Sequence, residues 1–250
     1  MEVAVQNTAE EVGDEPLQFK QKFPKVIVAV CASRREGIEK LKAKAEVIVL
    51  DDAFQHRKVK PSFSILLTPF DDLFTDDLIL PAGNLRESKR GVHRANIIIV
   101  TKCPEGVAYS RLQEIQFEMN LKSSQKVFFS KIGYDQLIQG VTESLPLDYL
   151  LNKPFTLVTG IANPEPLTSF LKSKQMVFKH EKFPDHHNFS AAEVSKLKEN
   201  EIILTTEKDY VRLQPKLGKF ALYYLPIKTI ILNKQDEVLQ KMIWETVKNF

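Results

Sequence analysis

NIIIVTKC (residues 96–103) is an unbroken Val/Ile run that stops on polar residues, and it sets how the rest of the chain reads. Alternation of apolar and polar residues would mark a strand with one wet face; continuity marks a strand covered on both faces, as in a parallel sheet. The same character recurs in KVIVAVC (25–31), EVIVLDD (46–52), FSILLT (63–68), FTLVTG (155–160) and EIILTTEKD (201–209). Charged segments of helical length, such as 35–44 and 191–199, lie between them. Strand and helix signals in alternation predict an α/β fold.

Two other stretches differ. VFFSKIGYDQLI (127–138) is extended and aromatic, and FALYYLPIKTIIL (220–232) resembles it late in the chain; the two can pair as a small linking sheet. Residues 234–250 carry Val238, Leu239, Met242, Ile243 and Val247 at helical spacing, which predicts a terminal helix packed back on the body.

The composition is that of a soluble globular protein: 250 residues, 43% hydrophobic and 27% charged. A net charge of +3 is too mild to argue for nucleic acid, and is compatible with an anionic substrate or lipid surface. The two cysteines, Cys31 and Cys103, each end an apolar run and read as reduced, buried thiols. The opening MEVAVQNTAEEVGDEP has neither a basic start nor a long apolar stretch, so no signal peptide is expected. No run approaches the ~20 apolar residues of a spanning helix, so any membrane contact is expected at the surface or through a part not in this sequence.

Most of the apolar runs end in polar residues, and ligands of open α/β sheets bind at the carboxyl ends of strands. Asp51 and Asp52 form an adjacent carboxylate pair at such an end; they suit Mg²⁺, which takes hard oxygens, although Asp pairs also cap helices. Gln55, His56, Arg57 and Lys58 follow at once, a mixture suited to holding a metal and an anionic phosphate together. In LPAGNLRES (80–88), Arg86 and Glu87 follow a tight turn, where the Arg can clamp a phosphoryl oxygen or simply form a surface ion pair. GDEP (13–16) places Asp14 and Glu15 in a turn before the first run. FPDHH (183–187) groups Asp185, His186 and His187, readable as a base with its orienting partner or as a metal site short of ligands. TTEKD (205–209) reads as a helix start with a threonine cap. No G-x-S-x-G and no G-x-x-x-x-G-K-[ST] occurs.

Taken in order, GDEP, DDAFQHR, LPAGNLRES, GIANPEPL, FPDHH and TTEKD resemble the tetraacyldisaccharide 4′-kinases, over most of the chain from about Val12 to Asp209. GDEPLQFKQKFP is similar to the branch found in Bacteroidetes-type bacteria. The resemblance implies transfer of the γ-phosphoryl group of ATP, with Mg²⁺, to the 4′-hydroxyl of an acylated glucosamine disaccharide 1-phosphate. The product is lipid IVA of lipid A synthesis, made at the cytoplasmic face of the Gram-negative inner membrane; no nucleic acid is involved. It implies a P-loop α/β lobe and a smaller α/β lobe joined by a two-stranded linker. The corresponding boundaries are 1–125 for an incomplete nucleotide lobe, 126–154 for the linker, 155–232 for the second lobe and 233–250 for the terminal helix. By the same resemblance Asp14 is the base for the sugar hydroxyl and His186 its partner, the two joined by lobe closure. Asp51 and Asp52 lie near the metal, Arg86 and Glu87 near the phosphates, and Gln55, His56 and Arg57 support them.

Departures from the family pattern are Ala53 and Ala162 for glycines, Ser88 for a proline, and Asn188 and Phe189 after the histidines. The larger departure is the phosphate loop, which in the family precedes GDEP together with a membrane-associating segment. Its absence from these residues implies weak or no phosphoryl transfer by this chain and exposed apolar sheet surface. The alternative is a non-catalytic remnant that binds the acylated disaccharide or a protein partner.

Overall fold

The computed structural model describes residues 1–248 and is a mixed α/β structure. Its helices are α1 (Ala9–Val12), α2 (Asp14–Lys22), α3 (Arg34–Leu41), α4 (Tyr109–Glu118), α5 (Glu165–Ser173), α6 (Ala191–Leu197), α7 (Glu207–Leu217) and α8 (Asp236–Lys248). Its strands are β1 (Ile65–Pro69), β2 (Ile97–Thr101), β3 (Lys126–Tyr134), β4 (Leu137–Gln139), β5 (Ser144–Pro146), β6 (Phe155–Thr159), β7 (Phe178–Lys182), β8 (Ile203–Thr205), β9 (Leu222–Tyr224) and β10 (Ile227–Ile231).

The chain forms two compact units, one of Met1–Ala32 with Tyr134–Ile227, the other of Ser33–Gly133 with Lys228–Phe250. This division differs from the boundaries expected from sequence. The first 32 residues fold with the later part of the chain because Val3, Val12 and Leu17 bury themselves against Val211 of α7. The terminal helix folds with the earlier part because Leu239 and Met242 pack on Ile97, Ile99 and Phe128. The last two residues of the expected helix, Asn249 and Phe250, lie outside the described residues.

In the second unit the sheet order is β1-β2-β3-β10, with β1, β2 and β3 parallel. The run 96–103 is continuous for the reason inferred from it: both its faces are covered. Ile98 and Val100 pack on Leu112 and Ile115 of α4, while Ile97 and Ile99 meet Leu239 of α8. Two expected strands do not form. Residues 46–52 are irregular, with Val49 87% exposed, because β1 ends the sheet and leaves that run no hydrogen-bonding neighbour among the described residues. Residues 25–31, in the other unit, make a single antiparallel bridge among the described residues, Ala29 to Glu2. Apolar surface is exposed at Val47, Val49, Ile65 and Leu67.

In the first unit the order is β5-β4-β9-β8-β6-β7, where β9, β8, β6 and β7 run parallel and β4 and β5 antiparallel. Leu157 and Leu204 face Leu167 and Leu171 of α5, and Val158 and Ile203 face Leu197 of α6 and Leu213 of α7. The two aromatic stretches pair, but not as a small sheet of their own: β3 lies beside β10 in the four-stranded sheet and β4 beside β9 in the six-stranded one. Cys103 is buried, and burial pushes its thiol pKa up; Cys31 is only half-buried. Among the described residues no helix is long and apolar enough to cross a membrane.

Leu204, fully buried at the centre of β8, and Val49, exposed on a loop, test this placement. Leu204→Ala is expected to cost about 3 kcal/mol in urea denaturation, by lost burial plus a cavity, and Val49→Ala less than about 0.5 kcal/mol.

Candidate functional site

The site is built from α2, α7 and the loops after β6 and β7, all in the first unit. The Glu11 carboxylate accepts the Thr8 N–H at 3.0 Å and closes the start of α1. Gly13 then turns with φ of 90°, a region that L side chains rarely adopt, so α2 begins at once with Asp14. Asp14 and Glu15 therefore open a helix rather than occupying the turn before a strand. Pro16 sits in the first turn, where no intrahelical N–H is needed. Leu17 is buried against Val211 of α7, and Lys22 meets Glu207 at 2.9 Å. These contacts hold α2 on α7 and leave Asp14 only 6% exposed.

The start of α7 is a lock for two loops. As the sequence predicts, Thr206 caps it, its hydroxyl oxygen accepting the Asp209 N–H at 3.1 Å. The buried Asp209 carboxylate accepts from the Gly160 N–H at 2.9 Å and the Thr206 hydroxyl at 2.7 Å. Burial pushes this carboxyl pKa up, against the pull of those hydrogen bonds. A Cβ at Gly160 would lie 2.8 Å from Asp209 Oδ1 and 3.2 Å from the Pro184 carbonyl oxygen. Only glycine lets the loop after β6, the loop after β7 and α7 approach this closely.

The two histidines of FPDHH have different surroundings. His187 stacks on Phe183 at 4.8 Å, meets Phe189 edge-on at 5.0 Å, and its Nε2 lies 3.1 Å from Glu193. Glu193 is pushed down to about 2, chiefly by the Ser190 N–H that it accepts as the cap of α6. His187 thus belongs to the wall of the unit. His186 is exposed and adopts φ of 58°, a left-handed conformation costing a non-glycine residue about 1–2 kcal/mol. The conformation is held from both sides. The His186 N–H donates to Asp185 Oδ1 at 3.0 Å, and Arg212 Nη1 donates to the carbonyls of His186 and His187.

Asp14 and His186, 172 residues apart, meet here: Nδ1 lies 2.9 Å from Asp14 Oδ2. Arg212 grips the same carboxylate as a fork, Nε to Oδ1 at 2.5 Å and Nη2 to Oδ2 at 2.7 Å. Lys208, one turn before Arg212 on the same face of α7, places Nζ 2.9 Å from Asp185 Oδ1 and 3.1 Å from His186 Nε2. An ammonium can only donate, so Nε2 is the accepting nitrogen and Nδ1 carries the hydrogen given to Asp14. Burial raises the pKa of Asp14, but the Arg212 fork and His186 outweigh it and hold the carboxyl below its ordinary value. Asp185 is likewise lowered, first by its hydrogen bond from Lys208. Sequence reading missed Arg212; its only signal was the spacing of Lys208 and Arg212 after a helix cap. The pair needs no closure to join it, since both residues fold in one unit.

The remaining candidates lie in the second unit. Asp51 and Asp52 are exposed on the irregular loop after residue 50, with Asp52 at φ of 43°, rather than at the end of a strand. The Glu87 carboxylate accepts both Arg94 Nη1 at 2.9 Å and Nη2 at 2.6 Å. Arg94 also donates to the Phe54 carbonyl at 3.2 Å and lies 4.7 Å from the centre of its ring. This second unforeseen arginine thereby ties DDAFQHRK to LPAGNLRES. Arg86 and Arg57 are exposed, as are Gln55 and Lys58, and His56 is half-buried. Among the described residues no group of three or more His, Cys, Asp or Glu side chains is placed to hold a metal ion by itself. Two adjacent exposed carboxylates do fit Mg²⁺, which completes its shell with waters and phosphate oxygens.

Comparison with known proteins points one way. A family model described as "LpxK: Tetraacyldisaccharide-1-P 4'-kinase" matches residues 1–248. The chain is 47% identical over 236 residues to a tetraacyldisaccharide 4′-kinase of Flavobacterium johnsoniae, covering 92% of this chain and 69% of the relative. It is 45% identical to that of Flavobacterium psychrophilum, covering 95% and 71%. A crystal structure of LpxK from Aquifex aeolicus in complex with ATP superposes with a TM-score of 0.72 at 27% identity, over 97% of this chain and 71% of that one.

The depressed Asp14 carboxyl sets a pH dependence. Its ionic contribution is present above the ordinary carboxylate value of about 4 and is lost as pH falls through the lower folded-state value. Asp14→Asn is expected to cost about 3–5 kcal/mol of stability at pH 7, as for a broken buried ion pair. The gap from the unsubstituted protein should narrow below about pH 4 in urea denaturation; a gap constant down to pH 3 would contradict the assignment.

Proposed function

This chain belongs to the tetraacyldisaccharide-1-P 4′-kinase family, and from that premise we propose that its reaction is transfer of the γ-phosphoryl group of ATP to the 4′-hydroxyl of a tetraacylated glucosamine disaccharide 1-phosphate. The product is lipid IVA, in lipid A biosynthesis. The observation that carries the reading is the Asp14–His186 contact at 2.9 Å, with Nε2 accepting from Lys208 at 3.1 Å.

In this reaction the sugar oxygen forms a bond to the γ-phosphorus, the bond from that phosphorus to the bridging oxygen breaks, and ADP leaves with the electron pair. The hydroxyl must lose its proton as it attacks. The Asp14–His186 pair is the base in our reading, the carboxylate being ionised at neutral pH and the imidazole already fixed against it. Asp51 and Asp52 would hold Mg²⁺, which when bound neutralises phosphate charge. Arg86, Arg57, His56 and Gln55 would contact phosphate or sugar, with Glu87 keeping Arg94 and the loop at Phe54 in place. The acylated substrate puts the reaction at a membrane surface, which we take to be the cytoplasmic face of the inner membrane, met peripherally.

These 250 residues hold no G-x-x-x-x-G-K-[ST], so transfer by this chain alone is expected to fall well below the usual ~1–100 s⁻¹ of kinases. The test is transfer of labelled γ-phosphoryl from Mg-ATP to the tetraacyldisaccharide 1-phosphate. Asp14→Asn and His186→Ala should each lower whatever transfer is seen by about a hundredfold or more. Transfer undiminished by Asp14→Asn would overturn the assignment of the base. Binding of the lipid with no transfer, unchanged by Asn at positions 51 and 52, would favour a non-catalytic binder instead.

A further inference from the structure

The guanidinium of Arg212 does more than neutralise a buried carboxylate. Its Nε and Nη2 take both oxygens of Asp14, and its Nη1 takes the carbonyls of His186 and His187. One rigid planar group therefore fixes the carboxylate and the backbone of the loop that presents the imidazole. Two features show that this grip has something to hold. His186 sits at φ of 58°, a conformation that relaxes unless its neighbours restrain it, and its side chain is 58% exposed, so packing alone cannot orient the ring. Asp14 in turn is nearly inaccessible, its side chain being 3% exposed. A carboxylate has about four acceptor positions; here two are taken by Arg212 and one by His186, which leaves one on Oδ1.

We propose that Arg212 is a positioning residue for the Asp14–His186 pair: its fork fixes the direction of the carboxylate and the seat of the imidazole together. The proposal rests on the reading of that pair as the base, and it goes beyond it by assigning to α7 the residue that sets the pair's geometry and charge state. A lysine could supply the charge but not the fork, so charge and geometry can be separated by substitution. The other charged groups around Asp14 are few. Lys208 and Asp185 sit beside His186, Asp209 lies on the inner side of α7, and Lys22 pairs with Glu207 between α2 and α7. Glu15 follows in the chain, and Glu10 is held by Asn188. Among the described residues Arg212 is the one cation that bonds both oxygens of Asp14.

The experiment is nuclear magnetic resonance on the resting protein, following the Asp14 side-chain carboxyl carbon and the His186 ring nitrogens through a pH titration, with Asp14→Asn to assign the carboxyl signal. In the unsubstituted chain the Asp14 midpoint should lie below the ordinary carboxylate range, and Nδ1 should carry the hydrogen. Arg212→Met should raise the midpoint by about one pH unit or more and shift Nδ1 toward the signal of an unprotonated nitrogen. Arg212→Lys should restore part of the midpoint while leaving the ring signal altered, and it answers the question if the Met variant does not fold. A midpoint and ring signal unmoved in the folded variants would overturn the proposal, because a residue that only packs α7 would leave both in place. These readouts need no turnover, so they are separable from the assignment of the base, which fails instead if Asp14→Asn leaves phosphoryl transfer intact.

Discussion

A carboxylate taken out of water stays ionised only if cations and N–H donors replace the water it loses. Asp14 is such a carboxylate, and much of the first unit is arranged around that requirement. The donors come from α7 and from the loop after β7, whereas Asp14 itself comes from the far end of the chain. For these to meet, the first residues must fold onto α7, which the apolar contacts of Val3, Val12 and Leu17 with Val211 achieve. The hydrophobic term brings the segments together without direction; the fork then adds the directional contact that fixes their register.

The same economy governs the loops. β6 and β8 are adjacent and parallel, so their carboxyl ends deliver Gly160 and Thr206 to one edge of the sheet. Asp209 joins the two, and the missing side chain of Gly160 lets the Pro184 carbonyl approach. The loop after β7 is thereby held at its start by α7 and at its end by the stacked ring of His187. Between those anchors His186 is free to take a strained backbone and present its ring, which is where strain in a functional loop is expected. In the second unit Arg94 does comparable work, binding Glu87 and Phe54 so that two loops far apart in sequence act as one piece.

The legible part of the sequence was the part decided by local pattern. β1, β2, β6 and β8 follow from continuous Val/Ile runs, the cap at Thr206 from its place after a strand, and α8 from its spacing. Residues 25–31 and 46–52 carry the same pattern and form no strand, because a strand needs a hydrogen-bonding neighbour and pattern does not say whether one is present. The grouping of the first 32 residues with the later unit was hidden for a related reason: it depends on which face of α7 is free to be covered. Asp14 and His186 were named through the resemblance of their motifs to a family, since two residues 172 positions apart give no local sign of their contact. Arg212 and Arg94 escaped notice because arginines on charged surfaces are common and only the fold shows which carboxylate each one meets.

A double-mutant cycle on Asp14 and His186 measures that contact most directly. Urea denaturation at pH 7 of Asp14→Asn, His186→Gln and the double variant gives the coupling between the two side chains. A coupling of about 1 kcal/mol is expected for residues sharing one hydrogen-bonded network, while effects that add to within about 0.3 kcal/mol would mean that the two side chains do not interact and would contradict the site described.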